Sequence, residues 1–381
     1  MGWYIELAIK YLAGERIQGT AAERAALETT QEGSAPNNSW KEIGRFTVSG
    51  SDVDSIVCRG LSSATSGTFA DKDNLMILIH IIGDDGDTNF NVRFGDTSID
   101  STANNYESVV SQHGGADSND GDGDSDGIKY GGYGSYTQGL YVIQVRNITG
   151  SGFHGKSAEG KYVFQYGYSA ANNTGRGEGV GTWKGSGQIG MVEVHNDQSG
   201  GFSAGSEIVV LGCDDDEADS GANFWQEIGS VNASGSETQI TLTKTFPKYM
   251  MFSCYGYGGS GDHGFFFNND ESGSDNSSGK MTRRFSSNNG TDNTASTQYR
   301  HLNNMMKSGS TGSYAHGFIV NVAGKAKIFY GVTSTDGNEH WEWSSKYAPN
   351  DSVDALITRM DLKSTSGNYS SDTNLRVWGS N

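Results

Sequence analysis

The apolar and polar positions of this chain mostly alternate over short runs, which is the pattern of strands half buried on one face. Phe90-Asn91-Val92-Arg93-Phe94 alternates, and so do Leu140–Val145 and Tyr162–Tyr166. Trp40–Val48, Asp54–Cys58, Ile189–His195 and Glu207–Leu211 complete a set of eight or nine predicted strands. One run breaks the alternation: Leu75-Met76-Ile77-Leu78-Ile79-His80-Ile81-Ile82 is apolar almost throughout. It is short and rich in β-branched residues, so it predicts a central strand covered on both faces.

The pattern is then written a second time. Trp40-Lys41-Glu42-Ile43-Gly44 with Ser49-Gly50-Ser51 returns 185 positions later as Trp225-Gln226-Glu227-Ile228-Gly229 with Ser234-Gly235-Ser236, identical at seven of twelve positions. The closing strand repeats too: Phe202–Gly212 is echoed by Tyr369–Gly379. Between them, Tyr249–Tyr255 stands for the buried run, Phe265–Phe267 for the alternating strand, Gly317–Val322 for Gly139–Gln144, and Lys327–Gly331 for Lys161–Gly167. The chain therefore reads as residues 1–36, a helical anchor and linker, then a first β-sandwich over 37–213, an acidic linker over 214–224, and a duplicate sandwich over 225–381. The expected fold class is all-β: two tandem jelly-roll-type antiparallel sandwiches behind a short helical segment. An immunoglobulin-like sandwich is the alternative, although each copy is longer than that fold's usual ~100 residues.

The lead-in has a different period. Trp3, Leu7 and Tyr11 recur at i, i+4 and i+8, with Leu12 beside them, and form an apolar helical stripe that needs a partner. That partner is either the chain's own first domain or a neighbouring subunit. Thr20-Ala21-Ala22-Glu23 is a capping-box signature for a second short helix.

Composition agrees with strands and turns. Gly occurs 55 times in 381 residues and Pro only 3 times, so many short strands joined by Gly, Asn, Asp and Ser turns are expected. A net charge of −18 repels a phosphate backbone and argues against a nucleic-acid partner. The N-terminal apolar run is too short to span a bilayer and makes a poor signal peptide, so no membrane insertion is expected. Cys58, Cys213 and Cys254 have neither the number nor the spacing of a disulfide framework or zinc site. They read as small buried residues or free thiols.

Candidate chemistry is sparse. Asp122, Asp124 and Asp126 in Asp-Gly-Asp-Ser-Asp-Gly match the opening of a calcium loop. The twelfth position of that frame is Tyr133 rather than Glu, so weak Ca²⁺ binding is the most it supports, inside a glycine- and aspartate-rich loop expected over 114–134. Glu193, Glu207 and Asp361 are the carboxylates on predicted strands that a glycosidase pair would draw on. No catalytic motif accompanies them, and no enzyme and no cofactor are expected. Trp343 and Tyr133 offer flat apolar faces among Asn and Asp, the ingredients of sugar stacking. Trp183 and Trp341 are read as equivalent core positions of the two copies.

The run Arg16-Ile17-Gln18-Gly19-Thr20-Ala21-Ala22-Glu23-Arg24, followed by a polar linker and Trp-x-Glu-Ile-Gly, resembles the N-terminal region of tailed-phage virion proteins, marine phages especially. The ending Phe202-Ser203-Ala204-Gly205-Ser206-Glu207-Ile208-Val209-Val210-Leu211-Gly212 is similar to their closing strand. The second ending departs, with Asp372-Thr373 in place of Gly-Ser. The resemblance implies a non-enzymatic structural protein such as a capsid decoration, fibre or tail-associated module. It would be assembled in the host cytoplasm into a virion, with copies of itself or other virion proteins as partners. The alternative is a carbohydrate- or host-receptor-binding module, with a host-surface glycan as partner.

Overall fold

A computed structural model describes residues 40–60, 69, 72, 74–83, 90–113, 118–130, 136–147, 156–166, 174–196, 200–213, 224–258, 263–269, 279–286, 312–335, 339–347, 355–364 and 366–381. The anchor residues Trp3, Leu7, Tyr11 and Leu12 lie outside these, as does Tyr133. The described residues form antiparallel sheets with no helix among them. No described helix is long and apolar enough to cross a membrane.

The first unit contains β1 (Lys41–Thr47), β2 (Ser55–Arg59), β3 (Asn74–Ile82), β4 (Phe90–Gly95), β5 (Tyr106–His113), β6 (Ser118–Ser125), β7 (Ile128–Tyr130), β8 (Tyr136–Arg146), β9 (Lys156–Tyr166), β10 (Thr174–Trp183), β11 (Met191–Asn196) and β12 (Glu207–Cys213). They make a large sheet in the order β1-β12-β3-β8-β9-β10-β5-β6 and a small one in the order β2-β11-β4-β7. The second unit contains β13 (Gln226–Asn232), β14 (Gln239–Thr243), β15 (Tyr249–Gly256), β16 (His263–Phe267), β17 (Gly279–Ser286), β18 (Ser313–Val320), β19 (Lys327–Thr335), β20 (Glu339–Tyr347), β21 (Arg359–Ser364) and β22 (Asn374–Ser380). Its sheets run β13-β22-β15-β18-β19-β20-β17 and β14-β21-β16. Strand for strand the second order is the first, without counterparts of β6 and β7 among the described residues.

The likeness reaches single atoms. β1 and β13 bulge at the same place, between Glu42 and Gly44 and between Glu227 and Gly229. The Ser206 hydroxyl meets both the backbone N–H and C=O of Ile82, at 2.9 and 3.0 Å. Thr373 does the same to Tyr257 at 3.0 and 2.9 Å. So where the second ending replaces Gly-Ser by Asp-Thr, the hydroxyl survives. Buried Asn147 and Asn321 are a second matched pair. The side-chain oxygen of Asn147 accepts from Ile189 N at 2.7 Å, and that of Asn321 from Ile357 N at 2.8 Å.

Alternation assigns each face. On β3, Leu75, Ile77, Ile79 and Ile81 point into a core shared with the small sheet, which contributes Ile56, Val92, Phe94, Val192 and Val194. The intervening Met76 and Leu78 point the other way, into a cluster with Leu140, Val142, Val209 and Leu211 of the same sheet. Phe224, Trp225, Tyr249, Phe318, Val320, Ile328 and Tyr330 of the second unit complete that cluster. The two large sheets thus pack back to back, small–large–large–small, and β3 is apolar throughout because each of its faces meets a different layer.

The structure corrects several expectations. The segment 114–134, expected as a loop, holds β6 and β7. Among the described residues of the first unit, twelve strands replace the eight or nine expected, chiefly because β5 and β10 carry no apolar alternation. On β10 the inward positions are Gly179 and Gly181, and a Cβ there would come within 2.8 Å of Tyr130 and 2.6 Å of Ile128. Rings and branches reaching across from β7 fill the space that the β10 side chains leave. The register also moves the internal alignment. Gly331 pairs with Gly317 as Gly160 pairs with Ile143, so Gly331 corresponds to Gly160 rather than Gly167, and Gly317 to Ile143 rather than Gly139. By the same register Trp183, paired with Lys156, corresponds to Tyr347, paired with Lys327, and not to Trp341. Trp183 and Tyr347 are the matched core residues.

Candidate functional site

Two neighbouring regions of the large sheets concentrate the polar chemistry. The first is built on Glu207. Gly205, at φ +93°, turns the chain into β12, and Glu207 opens that strand with its side chain away from the first core. Its carboxylate accepts from Thr47 Oγ1 at 2.6 Å, Tyr249 OH at 2.8 Å and Lys248 Nζ at 2.8 Å, and pairs with Arg45 Nη1 at 3.1 Å. Arg45 in turn holds Glu42 and donates to the backbone oxygen of Asn381. One carboxylate of the first unit therefore grips Lys248 and Tyr249 of the second.

Burial alone would raise the Glu207 pKa. The charge of Lys248 and hydrogen bonds from Lys248, Thr47 and Tyr249 outweigh it and hold the carboxyl at about 2. The Arg45 guanidinium is raised by its hydrogen bond to Glu42 against the cost of burial, and Tyr249 is raised by burial and by Glu207. His80, opposite Glu207 across β12 and β3, is fully buried. As placed, Gln138 Nε2 donates to its Nε2 at 3.0 Å, which puts the ring proton on Nδ1, an atom with no partner among the described residues. Burial, aided by Lys248, lowers the His80 pKa to about 3, so the ring is neutral at ordinary pH.

The second region is the outer face of the second unit's large sheet. The register sets three rows across β22, β15 and β18: Trp378–Met251–Phe318, then Arg376–Ser253–His316, then Asn374–Tyr255–Tyr314. The first row belongs to the apolar junction. The second is polar and the third aromatic, with Tyr257 two residues beyond Tyr255. The Tyr255 and Tyr257 rings are parallel within 8°, their centroids 6.4 Å apart, and Tyr314 is 48 % exposed.

The residues singled out from sequence fall in separate places. Asp122 and Asp124 lie on β6, an extended strand paired with β5, whereas a calcium loop must wrap around its ion. Asp126 is ion-paired with Arg93. No group of three metal-binding side chains occurs among the described residues. Glu193 and Asp361 occupy matched places on β11 and β21, each in its own ion pair: Glu193 with Arg93 at 3.3 Å and Asp361 with Arg359 at 2.9 Å. Neither shares a cleft with Glu207, whose depressed pKa is the reverse of what a general acid requires. Trp343 sits on β20 opposite Gly331. All three cysteines are unbridged, and burial pushes the Cys58 thiol up to about 12. The tyrosine row is not evident from sequence, because Tyr249–Tyr255 reads as one buried run. The signal was there in Tyr255-x-Tyr257, which keeps strand alternation past the last junction residue.

Compared with known proteins, the chain matches no family model and has no significant match among curated proteins.

Proposed function

We propose that this chain is a non-enzymatic structural protein of a virion, a rigid double-domain block that docks through its N-terminal segment and carries two β-sandwiches outward. The observation that carries the reading is the junction, where two sheets bury aliphatic and aromatic residues against each other around a single gripped carboxylate. Each large side chain so buried contributes ~1.5–3 kcal/mol. A block fixed in this way presents its faces at a constant angle, as repeated assembly demands.

Strand order supports a jelly-roll reading of each domain. With β5, β6, β9 and β10 set aside as extensions of the large sheet, the remaining strands of the first unit run first-eighth-third-sixth, facing second-seventh-fourth-fifth. A jelly roll built as two Greek keys would have this order, which supports the reading. The apolar stripe of Trp3, Leu7, Tyr11 and Leu12 and the phage-like run Arg16–Arg24 supply the docking element.

Light scattering of the full chain beside a chain beginning at Asn37 tests this. A large assembly that falls to a monomer on truncation is the expected result. Equal monomeric masses would mean that the lead-in packs on its own domain, and the docking reading would fall.

A further inference from the structure

We propose that the tyrosine row of the second unit, Tyr255, Tyr257 and Tyr314, is a binding platform for a neutral saccharide. The inference is independent of the virion reading, and either can fail alone.

The platform is built beforehand. Tyr255 and Tyr314 are register partners on β15 and β18, and Tyr257 follows Tyr255 on the same face. Tyr257 is clamped at both its backbone N–H and C=O by the buried Thr373 hydroxyl. Gly258, at φ +84°, bridges to Tyr369 directly behind it. The Tyr255 phenol lies against Gly312, where a Cβ would come within 2.0 Å of its oxygen. The ring is therefore seated against the Gly312 backbone as this glycine leaves room for it. The Tyr255 ring seated in this way has less rotamer freedom to lose on binding.

The choice of ligand follows from what adjoins the rings. A pyranose offers a C–H face that packs on aromatic rings and a rim of hydroxyls that donate and accept. Here Ser253 and Arg376 form the next row, and Asn374 lies beside Tyr255, all partly exposed. One strand repeat, about 7 Å, separates the stacking row from the polar row. That spacing lets one sugar ring touch both.

A second protein surface suits the place less well. Where this molecule does join sheet to sheet, it uses Met76, Leu78, Val142 and Val209, which exclude water. At the matched positions of the second unit stand Met251, Ser253, His316 and Arg376. The chain's net charge of −18 selects against phosphorylated or sialylated ligands and so favours a neutral one.

Saturation-transfer NMR on the full chain, with methyl hexopyranosides of the gluco, galacto and manno series and their neutral trisaccharides as probes, tests the proposal. Saturation of ring C–H protons of at least one probe is expected. Tyr314→Ala, at a site 48 % exposed, is expected to weaken that probe roughly tenfold, while Tyr314→Phe and Trp343→Ala keep it. Silence across the panel would overturn the proposal. Loss on Trp343→Ala with retention on Tyr314→Ala would also overturn it, by placing the site elsewhere. Light scattering in parallel covers the remaining occupant, since a dimer abolished by Tyr314→Ala would assign the row to a second copy of the chain.

Discussion

In the first unit the row Glu207–His80–Leu140 crosses the large sheet under cover of the second unit. Its counterpart in the second unit, Asn374–Tyr255–Tyr314, crosses the same three strands in the same register and opens outward. His80 and Leu140 are 0 % and 1 % exposed, against 48 % for Tyr314. The next row teaches the same lesson: Val209–Leu78–Val142 in one unit is Arg376–Ser253–His316 in the other. Backbone and core are shared, so the outer faces are where the two copies have parted. At these two rows one copy became a joint and the other a surface.

The sharpest way to break this comparison is to place the same charge at the two matched sites. Leu78→Asp puts an unpaired carboxylate into the junction and is expected to cost ~3–5 kcal/mol. Ser253→Asp, on the partly exposed row, is expected to change stability by under ~0.5 kcal/mol. Urea unfolding of both variants measures the difference. Equal losses would mean that the two faces are not the distinct environments described.

Much of this division was legible in the chain, and the rest was hidden for identifiable reasons. The run Leu75–Ile82 announced a strand covered on both sides, and it is one. What covers the second side could not be read, because apolar alternation says that a face is buried but not by which partner. β10 was invisible, since its inward positions are glycines whose volume is supplied by Tyr130 and Ile128. The register of the repeat drifted as loops were lost. The offset is 185 residues between Thr47 and Asn232 but 167 between Glu207 and Asn374, so intermediate matches such as Trp183 with Trp341 slipped. The Glu207 cluster draws on Arg45, Lys248 and Asn381, which no local spacing brings together.

A second test concerns what the copies still share. Ser206→Ala and Thr373→Val each remove a buried hydroxyl that satisfies a backbone N–H and C=O in the equivalent turn. Each is expected to cost ~1–3 kcal/mol and to do so about equally, as read by thermal unfolding. A loss confined to one unit would mean that the brace is not a common device of the fold.

A third test separates the two rows by pH. His80 is held neutral by burial, with its pKa lowered from 6.5 to about 3, so the unfolded chain binds a proton there that the folded chain refuses. Its contribution to stability is therefore fully present above pH 6.5 and is lost as pH falls toward 3, with a slope of at most about 1.4 kcal/mol per pH unit. Glu207 adds to the loss at lower pH. Its folded pKa of about 2 lies below its ordinary value of 4.5, so its share is present above pH 4.5 and vanishes toward pH 2. His80→Gln removes the first term only, and its stability between pH 6.5 and 4.5 is expected to fall less steeply than that of the parent. Tyr255→Phe, at the matched position, is expected to leave the acid slope unchanged. Parallel profiles for parent and His80→Gln would show that the buried imidazole takes up its proton without opening the junction. The joint would then owe its acid sensitivity to Glu207 alone.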